Sequence, residues 1–109
     1  MTASKLPPVI QKYVNASNAH NVKSILACFS GDAVVRDERE EHRGKKSIEA
    51  WIVKTIEKYN FQFKPLSVKD DDVEVVVTMH VSGTFDGSPV TLDYHFGIVN
   101  EKISALAIE

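Results

Sequence analysis

A chain of 109 residues is long enough for one hydrophobic core, so residues 1–109 are expected to form a single domain. Hydrophobic residues make up 43% of the chain and charged residues 26%, proportions that argue against a disordered protein. The net charge is −2 and the basic residues are scattered, so no nucleic-acid partner is expected.

Signals of export or of membrane insertion are missing from the sequence. The single cysteine, Cys28, rules out a disulfide within the chain. Residues 1–8 lack the apolar stretch of a signal peptide, and no apolar run is as long as a membrane span. We therefore expect a cytoplasmic location and no membrane partner.

Two short helices are predicted first. A pair of prolines suits the first turn of a helix whose apolar stripe includes Tyr13. Residues 18–21 interrupt this helix, and Asn21 is a suitable N-cap for the second one. The apolar face of the second helix runs as far as Phe29, and Gly31 is expected to end it.

A strand and a longer helix follow. Residues 33–37 include two β-branched side chains, which predict a strand that ends in the carboxylate of Asp37. The charged residues 38–41 are predicted to form a turn. Gly44 then begins a third helix, whose apolar face includes Trp51 and whose charged side chains face water.

The rest of the chain predicts strands joined by turns. Pro65 interrupts the first alternating run, as is typical of an edge strand. Residues 70–72 and 85–88 are rich in turn-forming side chains. The predicted strands are 61–68, 73–82, 90–98 and 102–108.

Three helices and a long meander of strands pack economically when the sheet curves and the helices cover its concave apolar face. Three short helices do not fill a strongly curved sheet, so a pocket open at one end is expected. The predicted fold is therefore α+β, with a cone-shaped, curved antiparallel sheet wrapped around the three N-terminal helices.

Several pieces of the sequence, in this order and at this spacing, resemble the nuclear transport factor 2-like superfamily, and within it the SnoaL-like and ketosteroid-isomerase-like proteins. The resemblance covers nearly the whole chain and implies the cystatin-like α+β roll. Because the superfamily holds isomerases, dehydratases, hydrolases, cyclases and binding domains, membership alone does not define a reaction. The pieces are Gln11–Val14, Asn18-Ala19, Phe29–Asp37, Arg43-Gly44 leading into Ile48 and Trp51, and His95-Phe96.

The resemblance also implies a catalytic site. Asp37 matches the carboxylate that acts as general base in ketosteroid-isomerase-like members, and Tyr13 matches their helix-one tyrosine, which donates to the substrate oxyanion. The third member of that site is a protonated aspartic acid on the penultimate strand. Tyr94 holds this position here, while Asp93 is one residue away and faces the other side of the strand. A phenol in this place weakens the case for steroid chemistry.

The residue types by themselves leave alternatives open for each of these groups. An apolar cavity would raise the pKa of Asp37 toward the working range of a general base. A solvated turn acid paired with a neighbouring arginine is the commoner role of an aspartate. Tyr13 and Tyr94 lie on apolar faces, where a phenol needs a ligand, a backbone carbonyl or a water as its partner.

Large apolar side chains are expected to line the pocket. No pair of histidines has the spacing of metal ligands and no phosphate loop is present, so neither a metal nor a cofactor is expected. The predicted lining residues are Phe29, Trp51, Phe61, Phe63, Met79, Val81, Phe96 and Leu106.

Two functions follow from this sequence. The first is a cofactor-independent isomerase, cyclase or dehydratase that moves a proton alpha to a carbonyl of a small apolar molecule, with Asp37 as base. The second is a ligand-binding or dimerisation module that uses the same fold without catalysis. A homodimer is expected in either case, through the weakly charged outer face of Val76, Thr78, His80 and Ser82.

Overall fold

The computed structural model describes residues 6–70 and 73–109. Two residues of the expected turn at 70–72, and most of the segment 1–8, therefore lie outside the described residues. The described helices are α1 Pro8–Asn18, α2 Val22–Ala27 and α3 Gly44–Tyr59. The described strands are β1 Phe29–Asp37, β2 Glu40–Arg43, β3 Gln62–Asp70, β4 Val75–Ser82, β5 Val90–Val99 and β6 Lys102–Ile108.

Local sequence signals define the starts of the helices. The first residue of α1 is Pro8, whose missing N–H has no partner to lose at this position. The side chain of Asn21 accepts a hydrogen bond from the amide of Ser24 at 3.1 Å, which confirms the predicted N-cap of α2. Gly44 has a φ of +81° and begins α3, as predicted.

The predicted end of α2 was wrong. This helix ends at Ala27, and Gly31 lies inside β1 instead of ending a helix. The amide of Ile103 donates to the carbonyl oxygen of Cys28 at 2.8 Å, and Phe29 pairs with the same residue of β6. Pairing with β6 therefore begins at Phe29, before the residue that was predicted to end the helix.

The sheet has six strands in the order β2-β1-β6-β5-β4-β3. Strands β3 to β6 form the predicted antiparallel meander. The pairing of β1 with β6 is parallel, so the sheet is mixed and not fully antiparallel as expected. Alternation along a strand encodes which side chains face the core, but it does not encode strand direction.

The predicted turn at residues 38–41 is shorter than expected. Glu38 and Arg39 alone form it, both with positive φ, and β2 then pairs back along β1. The two residues adopt the left-handed conformation that a tight hairpin requires. The hairpin fixes the direction of the chain immediately after Asp37.

The helices cover the concave face of the curved sheet, which gives the predicted cone-shaped α+β fold. Tyr13 of α1 lies in its core, with ring-to-ring distances of 5.9 Å to Phe29 and 5.6 Å to Phe96. No helix within residues 6–70 and 73–109 is long and apolar enough to cross a membrane. Val76, Thr78, His80 and Ser82 lie half-buried on β4, on the face away from the core, and the homodimer expected there stays a prediction.

Candidate functional site

A cavity of about 380 Å³ opens between the helices and the concave face of the sheet. Residues from all three helices and from five of the strands line it, and most of their side chains are apolar. The aromatic lining residues are Tyr13, Trp51, Tyr59, Phe61, Phe63, Phe85 and Tyr94. The aliphatic ones are Ile25, Ile52, Val81, Val90, Leu92 and Ile108, and the polar ones are Ser17, Asp37, Glu38, Thr55 and Glu109.

Four of the residues predicted to line a pocket lie on this cavity, namely Trp51, Phe61, Phe63 and Val81. The other four do not, and the prediction is corrected for them. They are at most 1% exposed and are packed inside the core. All four belong to the hydrophobic core cluster, so they fill the core and do not line the cavity. The four corrected residues are Phe29, Met79, Phe96 and Leu106.

Asp37 lies at the end of β1, half-buried at the wall of the cavity. The indole N–H of Trp51 on α3 donates to its Oδ2 atom at 3.1 Å. Burial raises the pKa of the Asp37 carboxyl, the nearby charge of Glu38 raises it further, and the Trp51 hydrogen bond works in the opposite direction. The result is a desolvated carboxylate held in one orientation by a neutral donor.

The alternative of an Asp37–arginine pair does not describe this carboxylate. Arg36 and Arg43 both direct their Nε atoms to the carboxylate of Glu41, which lies on the exposed hairpin. His42 on the same hairpin packs against the ring of Trp51, with 6.1 Å between the ring centroids. Arg36 and Arg43 are therefore engaged with Glu41 and not with Asp37.

The two tyrosines named from the sequence both border the cavity and are nearly buried, at 2% exposure for Tyr13 and 4% for Tyr94. Burial is the largest cause that raises the pKa of each phenol. The negative charge of Asp37 raises the pKa of both phenols as well. Asp37, Tyr13 and Tyr94 therefore interact across one cavity, and both phenols stay protonated donors.

The environments of the two phenols differ. Ser17, one turn further along α1, interacts with Tyr13 and lowers its pKa, against the effect of burial. Tyr94 makes no hydrogen bond to any residue in the described ranges 6–70 and 73–109, although it borders the cavity. This hydroxyl is not among the fully buried side-chain atoms that lack a partner, and Tyr94 borders the cavity, where water or a ligand can accept from it.

Sequence reasoning missed the polar rim of the cavity. The hydroxyl of Tyr59 on α3 donates to the carboxylate of Glu38, and the Nζ atom of Lys58 lies 3.8 Å from the same carboxylate. Residues 38 and 59 are far apart in sequence, so no local pattern connects them. Ser17 was also missed, although a serine on the apolar stripe of α1 was a usable signal.

The chain matches a family model over residues 10–104, and the family is described as the SnoaL-like domain. None of the curated proteins matches the chain in sequence. Among solved structures, a proposed polyketide cyclase from Sinorhizobium meliloti is 35% identical, with a TM-score of 0.92 and 95% of each chain covered.

Two more distant structures share the fold. One is a protein of ketosteroid isomerase-like fold from Catenulispora acidiphila in complex with trimethylamine, at 15% identity, a TM-score of 0.83, and coverage of 96% of this chain and 86% of that one. The other is a computationally designed binder of 17-OHP, at 15% identity, a TM-score of 0.80, and coverage of 93% and 87%. With the family match spanning most of its length, the chain belongs to the SnoaL-like domain family, on the nuclear transport factor 2-like fold.

Proposed function

We propose that this protein binds a small apolar carbonyl compound in the cavity and moves a proton at the carbon alpha to the carbonyl. Asp37 acts as the general base, and the phenols of Tyr13 and Tyr94 donate hydrogen bonds to the carbonyl oxygen. The observation that carries the proposal is the meeting of these three groups on one apolar cavity, where the charge of Asp37 acts on both phenols.

The chemistry needs only a proton transfer and the movement of one electron pair. The Asp37 carboxylate accepts the alpha proton, the C–H electron pair forms the carbon–carbon double bond of an enolate, and the carbonyl π pair moves onto oxygen. The two phenols stabilise this oxygen, because both remain protonated donors. In a β,γ-unsaturated ketone, return of the proton from Asp37 to the γ carbon completes an isomerisation. In a dicarbonyl compound, attack of the enolate on the second carbonyl closes a ring, and the new alkoxide takes the proton from Asp37.

Trp51 has a positioning role in this proposal. Its indole holds one carboxylate oxygen of Asp37 and leaves the charge on the carboxylate, since the indole is a neutral donor. Burial keeps the pKa of the carboxyl above its ordinary value, which makes it a stronger base than a solvated aspartate. The similarity to a proposed polyketide cyclase, whose name implies ring closure on a carbonyl compound, supports the same class of chemistry.

The test is exchange of carbon-bound protons with solvent. A panel of apolar ketones and diketones is incubated with the protein in deuterated water, and deuterium at the alpha carbon is measured by mass spectrometry. At least one member of the panel is expected to exchange faster with the protein than with buffer. The Asp37→Asn variant is expected to lose about 10²–10⁴-fold of this acceleration, the usual share of a general base.

The matched control is Asp93→Asn, which makes the same change of charge on the outer face, where Asp93 accepts from the Thr78 hydroxyl. This variant is expected to keep the activity of the parent protein. Ketones that bind without any exchange would contradict the proposal and would favour the alternative of a non-catalytic binding module. Exchange that survives in Asp37→Asn would remove Asp37 from the base position.

A further inference from the structure

The charged residues that line the cavity are all acidic. Within the described residues, its lining includes no lysine, arginine or histidine, whereas three lining residues carry carboxylates. Glu38 has the ammonium of Lys58 at 3.8 Å, and the exposed Glu109 side chain has the imidazole of His95 at 3.7 Å. Asp37 is hydrogen-bonded to a neutral indole instead. Of these three residues, Asp37 is the half-buried one, and His42, whose charge acts on it, lies outside the lining on the hairpin.

The charge of Asp37 acts on both phenols that border the cavity. The charge of Asp37 raises the pKa of Tyr13 and of Tyr94, which means that it opposes a negative charge on either phenol oxygen. A ligand group that accepts from these phenols occupies the same region. Any negative charge on that group is opposed by the same carboxylate.

We propose that the cavity accommodates one negative charge at a time and so selects neutral or cationic ligands against anionic ones. In the free protein, Asp37 carries that charge. When Asp37 accepts the alpha proton, its carboxyl becomes neutral and the charge moves to the enolate oxygen, so the total is unchanged. A substrate with its own carboxylate, sulfonate or phosphate adds a second charge that nothing in the lining neutralises. This inference deepens the proposed function and rests on it for the proton transfer.

The aromatic lining acts in the same direction. Seven of the lining residues are aromatic, and the faces of aromatic rings attract cations and repel anions. Burial of an anion in such a lining also removes its hydration without offering a compensating charge. A ligand that carries an ammonium group gains from the rings and from Asp37 together, so it is expected to bind more tightly than its neutral analogue.

The experiment measures dissociation constants for three ligands that share a naphthylmethyl group and carry a hydroxyl, an ammonium or a sulfonate. These groups keep their charge over a wide range of pH. At neutral pH the expected order of affinity is ammonium, then hydroxyl, then sulfonate, with about tenfold or more between the two charged ligands. Isothermal titration calorimetry, or quenching of Trp51 fluorescence, provides the readout.

Asp37→Asn is expected to reduce the difference in affinity between the two charged ligands. The sulfonate binds more tightly to this variant than to the parent, the ammonium binds more weakly, and the hydroxyl ligand changes little. Asp93→Asn removes the same charge on the outer face and is expected to leave all three affinities unchanged. One substitution is expected to strengthen the binding of one ligand and to weaken the binding of another. Partial unfolding would weaken the binding of both, so it cannot explain this result.

The outcomes separate this inference from the proposed function. If the hydroxyl ligand binds and the sulfonate binds as tightly as the ammonium or more tightly, the proposed charge selection is wrong. The apolar pocket of the proposed function would still stand. Failure of all three ligands to bind overturns both. Equal effects of Asp37→Asn and Asp93→Asn also overturn the inference, because they assign the selection to net charge and not to the cavity.

Discussion

The concave face of the sheet has two halves that are both apolar, but one is packed in the core and the other borders the cavity. We call the region around Phe96, Ile103 and Leu106 the packed half, where these side chains are at most 1% exposed. The region around Val90 and Leu92 is the open half, where the side chains border the cavity and are only partly buried. Phe96 of the packed half lies on the same apolar face of β5 as Val90 and Leu92, so alternation along the strand does not explain the difference.

The comparison separates two requirements that a small domain must meet. The packed half supplies the hydrophobic stabilisation that holds the fold together. The open half leaves apolar surface uncovered and holds the carboxylate of Asp37, whose partial burial costs stability. Destabilising groups that are concentrated around one cavity are the arrangement expected of a functional site. The two halves are therefore expected to respond differently to substitution.

The largest expected effect is on stability, from the same substitution made once in each half. Leu106→Ala in the packed half is expected to lower the free energy of unfolding by about 2–5 kcal/mol, because it leaves a cavity among buried neighbours. Leu92→Ala in the open half is expected to cost about 1 kcal/mol, since its side chain already borders empty space. Urea denaturation measures both values. Equal losses would show that the open half is packed in solution and would contradict the difference between the two halves.

The next effect concerns a phenol that belongs to the open half. Tyr94→Phe is expected to leave the free energy of unfolding nearly unchanged, because the hydroxyl has no partner among the described residues. The same variant is expected to slow proton exchange of a bound ketone by about tenfold, the usual value of one hydrogen bond to a charged oxygen. Tyr59→Phe is the matched control, since its hydroxyl donates to Glu38 at the rim. A stability loss of several kcal/mol in Tyr94→Phe would show that the hydroxyl is hydrogen-bonded within the protein.

The half-buried carboxylate of Asp37 makes the stability of the open half depend on pH. Burial raises the pKa of Asp37 above its ordinary value of 3.8, so the native state binds this proton more tightly than the unfolded chain. The contribution of Asp37 to stability therefore falls as pH rises from 3.8 through its native pKa. Asp37→Asn is expected to be more stable than the parent at neutral pH, and the difference is expected to vanish in acid. A variant less stable than the parent at neutral pH would contradict the burial of this carboxylate.

The change expected to be smallest is in the pKa of Asp37 when its hydrogen bond from Trp51 is removed. The indole of Trp51 stabilises the charged form of Asp37, so Trp51→Phe is expected to raise the pKa of Asp37 further while keeping an aromatic ring on the wall. Carbon-detected NMR titration of the Asp37 side chain reports the pKa directly. An unchanged pKa would show that the hydrogen bond does not form in solution, and the positioning role of Trp51 would be withdrawn.

Much of the fold follows from patterns that are local in sequence. The apolar stripe with Tyr13, the cap at Asn21 and the alternation along β5 each depend on neighbouring residues, and each agrees with the structure. The end of α2 was predicted wrongly because a long-range contact overrides it, namely the pairing of Phe29 with Ile103. The parallel pairing of β1 with β6 was missed for the same reason.

The candidate site divides in the same way. Asp37, Tyr13 and Tyr94 were named from their residue types and from the resemblance to a family, and the structure brings them to one cavity, where their catalytic role stays a prediction. Phe96 and Leu92 share one face of β5, yet only Leu92 borders the cavity. Alternation tells which face a side chain takes, but the depth of that side chain depends on what packs above it.

The sequence by itself therefore determined the order of the elements, the apolar face of each one and the acidic end of β1. The tertiary structure alone decided which apolar side chains fill the core, which ones line a cavity, and that Trp51 and not an arginine binds the Asp37 carboxylate. The physical reason is that periodicity is set by neighbours along the chain, whereas burial, cavity volume and the field on a buried group depend on residues that meet only when the sheet curves around the helices.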